Sequence, residues 1–110
     1  MNVTDWKTKS YLQELLGKPG SHLVVFAAHW CGFCSSFVRQ AKSHDGNTEL
    51  SLIDADDSDE SLWDDYSIKI VPTIIVFENG EPVFRRDGKS MAGLSMGDLD
   101  QAVSMLRTEN

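Results

Sequence analysis

Cys31 and Cys34 are the two cysteines of the chain, and the two residues between them, Gly32 and Phe33, place both sulfurs on one turn of a helix. At that spacing they can close a small disulfide ring. They cannot staple distant segments, which excludes the disulfide scaffold of a small secreted protein and leaves a redox pair or half of a metal site. A zinc site needs about four ligands, and His22, His29 and His44 have no paired spacing that would complete one. In a redox pair the thiolate is the nucleophile, and the unpaired N–H groups and dipole of a helix N-terminus favour that form at Cys31. Cys31 would attack a substrate disulfide, and Cys34 would then attack Cys31 and release the substrate reduced; the reverse sequence oxidises it. His29 reads as a polar residue ending a strand rather than as a catalytic base, because the helix dipole already activates Cys31.

The elements that must position the thiols follow from the hydrophobic pattern. Leu23 to Ala28 is apolar without alternation, the pattern of a strand covered on both faces in an α/β sheet, and a strand over 22–29 opens into the cysteine turn. Ligands collect at such strand ends. Cys34, Phe37, Val38 and Ala41 recur at i, i+3, i+4, i+7, so that helix turns Cys34 inward and leaves Cys31 at its mouth. Before the strand, Thr4 as N-cap, Asp5, Trp6, Leu12, Leu15 and Leu16 predict a helix of about three turns ending at Gly17. After Asp45-Gly46-Asn47, residues 49–54 form a second strand, parallel to the first through a right-handed crossover.

Ser58 to Tyr66 reads as a short helix with acidic residues near its positive end. A calcium loop through Asp54, Asp56 and Ser58 is disfavoured, because Asp59 stands where the sharp turn calls for Gly. Thr73 to Phe77 and Val83 to Arg86 pair as a hairpin across Asn79-Gly80. A last helix carries Leu99, Ala102, Val103 and Leu106 on one face, with Ser95 and Asp98 as caps.

A chain of 110 residues, 41% hydrophobic, suffices for one core and one domain over 1–110. No apolar run approaches the roughly 20 residues of a membrane span. Met1 to Lys7 has no basic region followed by an apolar core, so a cytoplasmic protein without a secretory leader is expected. Ten basic against seventeen acidic residues give a net charge of -7, the wrong sign for nucleic acid or an anionic membrane surface.

Trp30-Cys31-Gly32-Phe33-Cys34 after an apolar strand, Val71-Pro72-Thr73 leading into another, and Phe77-Glu78-Asn79-Gly80-Glu81 beyond it resemble the thioredoxin family in order and separation, over about residues 5 to 107. The resemblance implies a thioredoxin fold, an α/β domain with a four-stranded mixed sheet flanked by helices. It also implies a thiol–disulfide oxidoreductase that works chiefly as a reductase of protein disulfides. Cys31 matches the attacking cysteine and Cys34 the resolving one. Pro72 matches the family's cis-proline, whose preceding backbone bonds an extended substrate segment, although a trans proline starting a strand is the reading from the residues alone. Trp30, which could equally be core packing, matches the tryptophan beside the site; with Gly32, Phe33, Ile70, Val71 and Pro72 it would form the substrate groove. The partners implied are protein disulfides and an unidentified reductase, for a monomer with no cofactor and no metal.

Several positions depart from the family's pattern. Val25 replaces a buried aspartate that could relay a proton at Cys34, and Leu50 replaces the lysine that accompanies it. Phe33 replaces a proline, Ile70 a glycine, and the chain between Gly80 and Leu94 is longer than usual. With only Met1 to Val3 ahead of the first helix, the family's extra N-terminal strand is expected to be absent. Gly32-Phe33 also resembles some glutaredoxin sites, so the alternative is a glutaredoxin-like protein using glutathione or binding an iron–sulfur cluster. A redox-silent binding module would have no need of both thiols.

Overall fold

The computed structural model describes residues 1–56 and 62–106. In chain order the elements are β1 (Asn2–Val3), α1 (Lys9–Leu16), β2 (Ser21–Ala27), α2 (Gly32–Lys42), β3 (Glu49–Asp54), α3 (Leu62–Asp65), β4 (Thr73–Glu78), β5 (Glu81–Asp87) and α4 (Met96–Ser104). They build a five-stranded mixed sheet in the order β1-β3-β2-β4-β5. Strands β1 and β2 both run parallel to β3, β4 runs antiparallel to β2, and β5 runs antiparallel to β4.

The expected four strands are therefore five, and the N-terminal strand expected to be absent is present in short form. Its cause is visible in the backbone. The N–H groups of Asn2, Thr4 and Lys7 donate in turn to the carbonyls of Thr48, Leu50 and Leu52, and Asp54 N–H donates back to Lys7 O at 2.9 Å. Thr4 does not cap a helix: its hydroxyl accepts from Leu52 N–H at 3.0 Å. Residues 2–7 thus cover the outer edge of β3, which would otherwise expose unpaired backbone groups, and α1 starts only at Lys9.

The centre of the sheet is dry. Leu23 to Ala28 on β2 and its exit, and Ile74 to Phe77 on β4, are all buried, as the unalternating apolar run requires of a strand covered on both faces. Phe26, Phe37 and Phe77 are among the largest fully buried side chains, and each stabilises the fold by about 1.5–3 kcal/mol through its burial. Asn79 and Gly80 take φ of 51° and 84°, the two left-handed conformations of a type I′ turn, which is why Asn-Gly joins β4 to β5. Helix α4 begins with a capping box: Ser95 accepts from Asp98 N–H, and the Asp98 carboxylate accepts from Ser95 N–H at 2.9 Å.

Helix α3 is shorter than the reading over 58–66. Its expected first residues lie outside those described, and its end is set by Ser67, whose φ is 52°. Arg85 closes that end. Its guanidinium donates to the carbonyls of Tyr66 and Ser67 and, through Nε, to Asp87 Oδ1 at 2.7 Å.

Candidate active site

Strand β2 stops at Ala27, where Ala55 N–H closes onto Ala27 O at 2.8 Å, and the chain turns through Ala28, His29 and Trp30 into α2. Cys31 is the N-cap of that helix. Its Sγ accepts the Cys34 backbone N–H at 3.2 Å, one of the helix donors that has no partner inside the helix. Its thiol also faces the Val71 carbonyl at 3.6 Å. Both cysteines are free thiols; Cys31 is 7% exposed and Cys34 1%. The structure therefore places Cys31 at the helix mouth and Cys34 on the buried face, as the periodicity predicts.

Burial is the main reason that the Cys34 thiol is pushed up to about 12; its hydrogen bond with Cys31 and the Cys31 charge add to this, while a hydrogen bond with the Ala28 backbone opposes it. Val25 is fully buried in the same core, paired with Leu52 and Ile74 on the neighbouring strands.

The Val71-Pro72 peptide is cis. Pro72 and Val71 are buried, so Val71 meets the site with its carbonyl rather than as an apolar wall; Ile70 is half-buried, its carbonyl accepting from the Thr73 hydroxyl at 2.7 Å. Trp30 is 70% exposed, which removes the core-packing reading, and Phe33 is exposed beside it. A side chain built at Gly32 would meet nothing within 4 Å, so the space above that residue is open.

Two glycines that follow β5 lie against Pro72 and Phe33. Gly88 N–H donates to Pro72 O at 2.9 Å, and a Cβ there would lie 2.6 Å from that same oxygen. Gly93, at φ 70°, lies against Phe33, with only 2.9 Å between a Cβ built there and the Phe33 Cβ. Between them Lys89 and Gly93 exchange backbone hydrogen bonds of 2.9 and 2.8 Å, closing a tight turn with Met91 exposed at its tip.

His29 lies two residues beyond the strand, stacked on Trp6 at 3.8 Å with Nε2 3.3 Å from Asp54 Oδ2. His22 bonds Lys18 O and His44 pairs with Asp100, so the three histidines are dispersed. Among the described residues, no group of three or more His, Cys, Asp or Glu side chains is arranged to hold a metal ion. Of the calcium-loop residues, Asp54 and Asp56 are committed to other donors, and Ser58 and Asp59 lie outside the described residues. Asp56, which the sequence suggests only as a disfavoured calcium ligand, accepts the indole N–H groups of both Trp30 and Trp63. No described helix is long and apolar enough to cross a membrane.

Comparison with known proteins places this geometry. The thioredoxin family model matches residues 2–98. The chain is 35% identical over 87 residues to thioredoxin of Staphylococcus epidermidis, covering 76% of this chain and 78% of that one. It is 31% identical over 87 residues to a thioredoxin-like protein of Synechocystis, covering 76% and 82%. A protein disulfide-isomerase-like protein of Arabidopsis thaliana is 34% identical over 98 residues, but these are 82% of this chain and only 22% of that protein. Among solved structures, Schistosoma mansoni thioredoxin superposes with a TM-score of 0.73 at 25% identity, covering 96% of each chain.

Proposed function

The chain belongs to the thioredoxin family, and from that premise we propose that it reduces protein disulfides through Cys31-Gly32-Phe33-Cys34. Family membership and the two close cysteines support thiol–disulfide exchange in general; the finer assignment rests on one observation, the unequal placement of two free thiols on the first turn of α2.

The Cys31 thiolate attacks one sulfur of the substrate disulfide. A bond forms between them, and the other substrate sulfur leaves as a thiolate. Helix α2 favours the attacking anion through the Cys34 N–H, whose donated hydrogen bond strengthens as Cys31 becomes charged. Cys34 then loses its proton and attacks Cys31. The Cys31–Cys34 bond forms, the remaining substrate sulfur departs and takes up a proton, and two electrons have passed to the substrate. An external dithiol or reductase returns the pair to the reduced state. Trp30, Phe33 and Ile70, with the Val71 backbone, are the surfaces against which an extended substrate segment lies.

The test is trapping. Cys31→Ser should abolish insulin disulfide reduction, with activity falling at least about a hundredfold because the nucleophile is lost. Cys34→Ser should accumulate mixed disulfides through Cys31. Alkylation or trapping that identifies Cys34 as the reactive thiol would overturn the assignment.

A further inference from the structure

The starting ends of the parallel strands β2 and β3 border a cavity of about 170 Å³, with Leu15, Leu23 and Leu106 as its apolar wall and Ser21, His22, Thr48, Glu49 and Ser51 as its polar one. At about 3.3 Å per residue, the length of β2 puts this cavity roughly 20 Å from the thiols, at the opposite pole of the sheet. Ser51 is the anomaly there. It pairs with Val24 across the two strands and is only 3% exposed, and among the described residues it and Thr73 are the buried polar ones. Thr73 gives its hydroxyl to the Ile70 carbonyl. Among the described residues the Ser51 hydroxyl has no such partner, and neither do the Thr48 hydroxyl and the Glu49 carboxylate. No side-chain polar atom of the described residues is sealed in without a partner, so the Ser51 hydroxyl opens into the cavity.

The lining selects its occupant by chemistry. It holds a carboxylate and hydroxyls but no Lys or Arg, and the chain has a net charge of -7, so an anion is repelled. His22 Nε2 donates to the Lys18 carbonyl at 3.3 Å, which leaves Nδ1 of the neutral ring an acceptor as well. A purely apolar ligand would cover these acceptors and leave them unpaired, which is unfavourable. We propose that this cavity is a binding site for a primary alkylammonium group. Its three N–H donors meet the Glu49 carboxylate and the Ser51 and Thr48 hydroxyls, while its methylene stem lies on Leu15, Leu23 and Leu106. The cavity is smaller than the roughly 300–1,000 Å³ of sites for drug-sized ligands, so the stem is a few carbons long, as in a lysine side chain or a short diamine. The site does not depend on Cys31 or Cys34.

Titration of the full chain with n-butylammonium chloride, followed by backbone amide resonances in a nitrogen-15 correlation spectrum, tests it. The amides of residues 21–23 and 48–51 should shift saturably with a Kd on the order of 1 mM, as expected for a ligand of so few atoms, while those of Cys31 to Cys34 stay in place. Butyrate, with a similar stem and the opposite charge, and tetramethylammonium, which has the charge without N–H donors, should both fail to saturate these shifts. Glu49→Gln should weaken binding at least about fivefold by removing the charge, and Ser51→Ala about threefold by removing one acceptor. Glu49 is exposed, so its variant carries the test if Ser51→Ala does not fold. Insulin reduction should stay within about twofold of the parent in both variants. Two further probes separate the sources of the same chemistry: tighter binding of Nα-acetyl-lysine methylamide assigns the site to a lysine side chain of a protein, and tighter binding of 1,5-diaminopentane assigns it to a free diamine; either supports the proposal. Absence of saturable shifts with n-butylammonium, an equal response to butyrate or tetramethylammonium, or unchanged affinity in Glu49→Gln would overturn it.

Discussion

Resolution of a mixed disulfide requires Cys34 to lose a proton that burial holds in place. In the reduced pair, the hydrogen bond with Cys31 and, once Cys31 is a thiolate, its charge add to that burial. Once Cys31 is bonded to a substrate sulfur it carries no charge, and the charge contribution falls away while burial persists. Val25 stands where the family pattern has a carboxylate able to take the proton, and it is fully buried. Val25→Asp should therefore act in two opposed directions. A carboxylate enclosed by Leu52 and Ile74 as strand neighbours costs about 3 kcal/mol or more unless it is protonated or paired, which denaturant unfolding will register. Resolution near neutral pH should nevertheless accelerate, read as stopped-flow decay of a Cys31 mixed disulfide. An unchanged or slower decay in a folded variant would mean that the missing acceptor does not limit turnover.

At the scale of elements, what sequence made legible was what local pattern controls. The i, i+3, i+4, i+7 spacing from Cys34 to Ala41 separates a buried thiol from one at the helix mouth, and α2 obeys it. Asn79-Gly80 and the pair Ser95 and Asp98 carry their own turn and cap chemistry, so the hairpin and the start of α4 fall where expected. Thr4 misleads because a hydroxyl that can cap a helix can equally accept from a neighbouring strand, and only the position of β3 decides between them. Asp56 was illegible for a similar reason: one of its partners, Trp30, is 26 residues away in sequence.

Gly88 shows the same limit, since only the fold brings its α-carbon against the Pro72 carbonyl. Gly88→Ala should cost about 1–3 kcal/mol, the range for forcing atoms into a filled site, and should weaken insulin reduction by displacing Pro72. Gly97→Ala, whose added carbon meets nothing nearer than 3.5 Å, is the matched control. Equal unfolding midpoints for the two variants would show that the loop yields without loss.

For the whole molecule, the thiol that must be deprotonated in turnover also links folding to pH. The folded state keeps the Cys34 proton up to about 12 against an ordinary value of 9.0, so between those values it binds more protons than the unfolded chain. Stability should be fully present below about pH 9 and fall as pH rises above it, by at most about 1.4 kcal/mol per pH unit for one proton. Denaturant melts from pH 8 to 11 should show this loss in the reduced protein, with Cys34→Ala lacking that component. A loss of the same size in Cys34→Ala would assign it to other groups. The three tryptophans are gathered at the thiol end of this fold, Trp30 and Trp63 on the Asp56 carboxylate and Trp6 stacked on His29. A disulfide takes an electron from an excited indole more readily than a thiol does. The intrinsic emission of the protein should therefore fall when the Cys31–Cys34 disulfide forms, which a redox titration followed by tryptophan fluorescence checks without any attached dye.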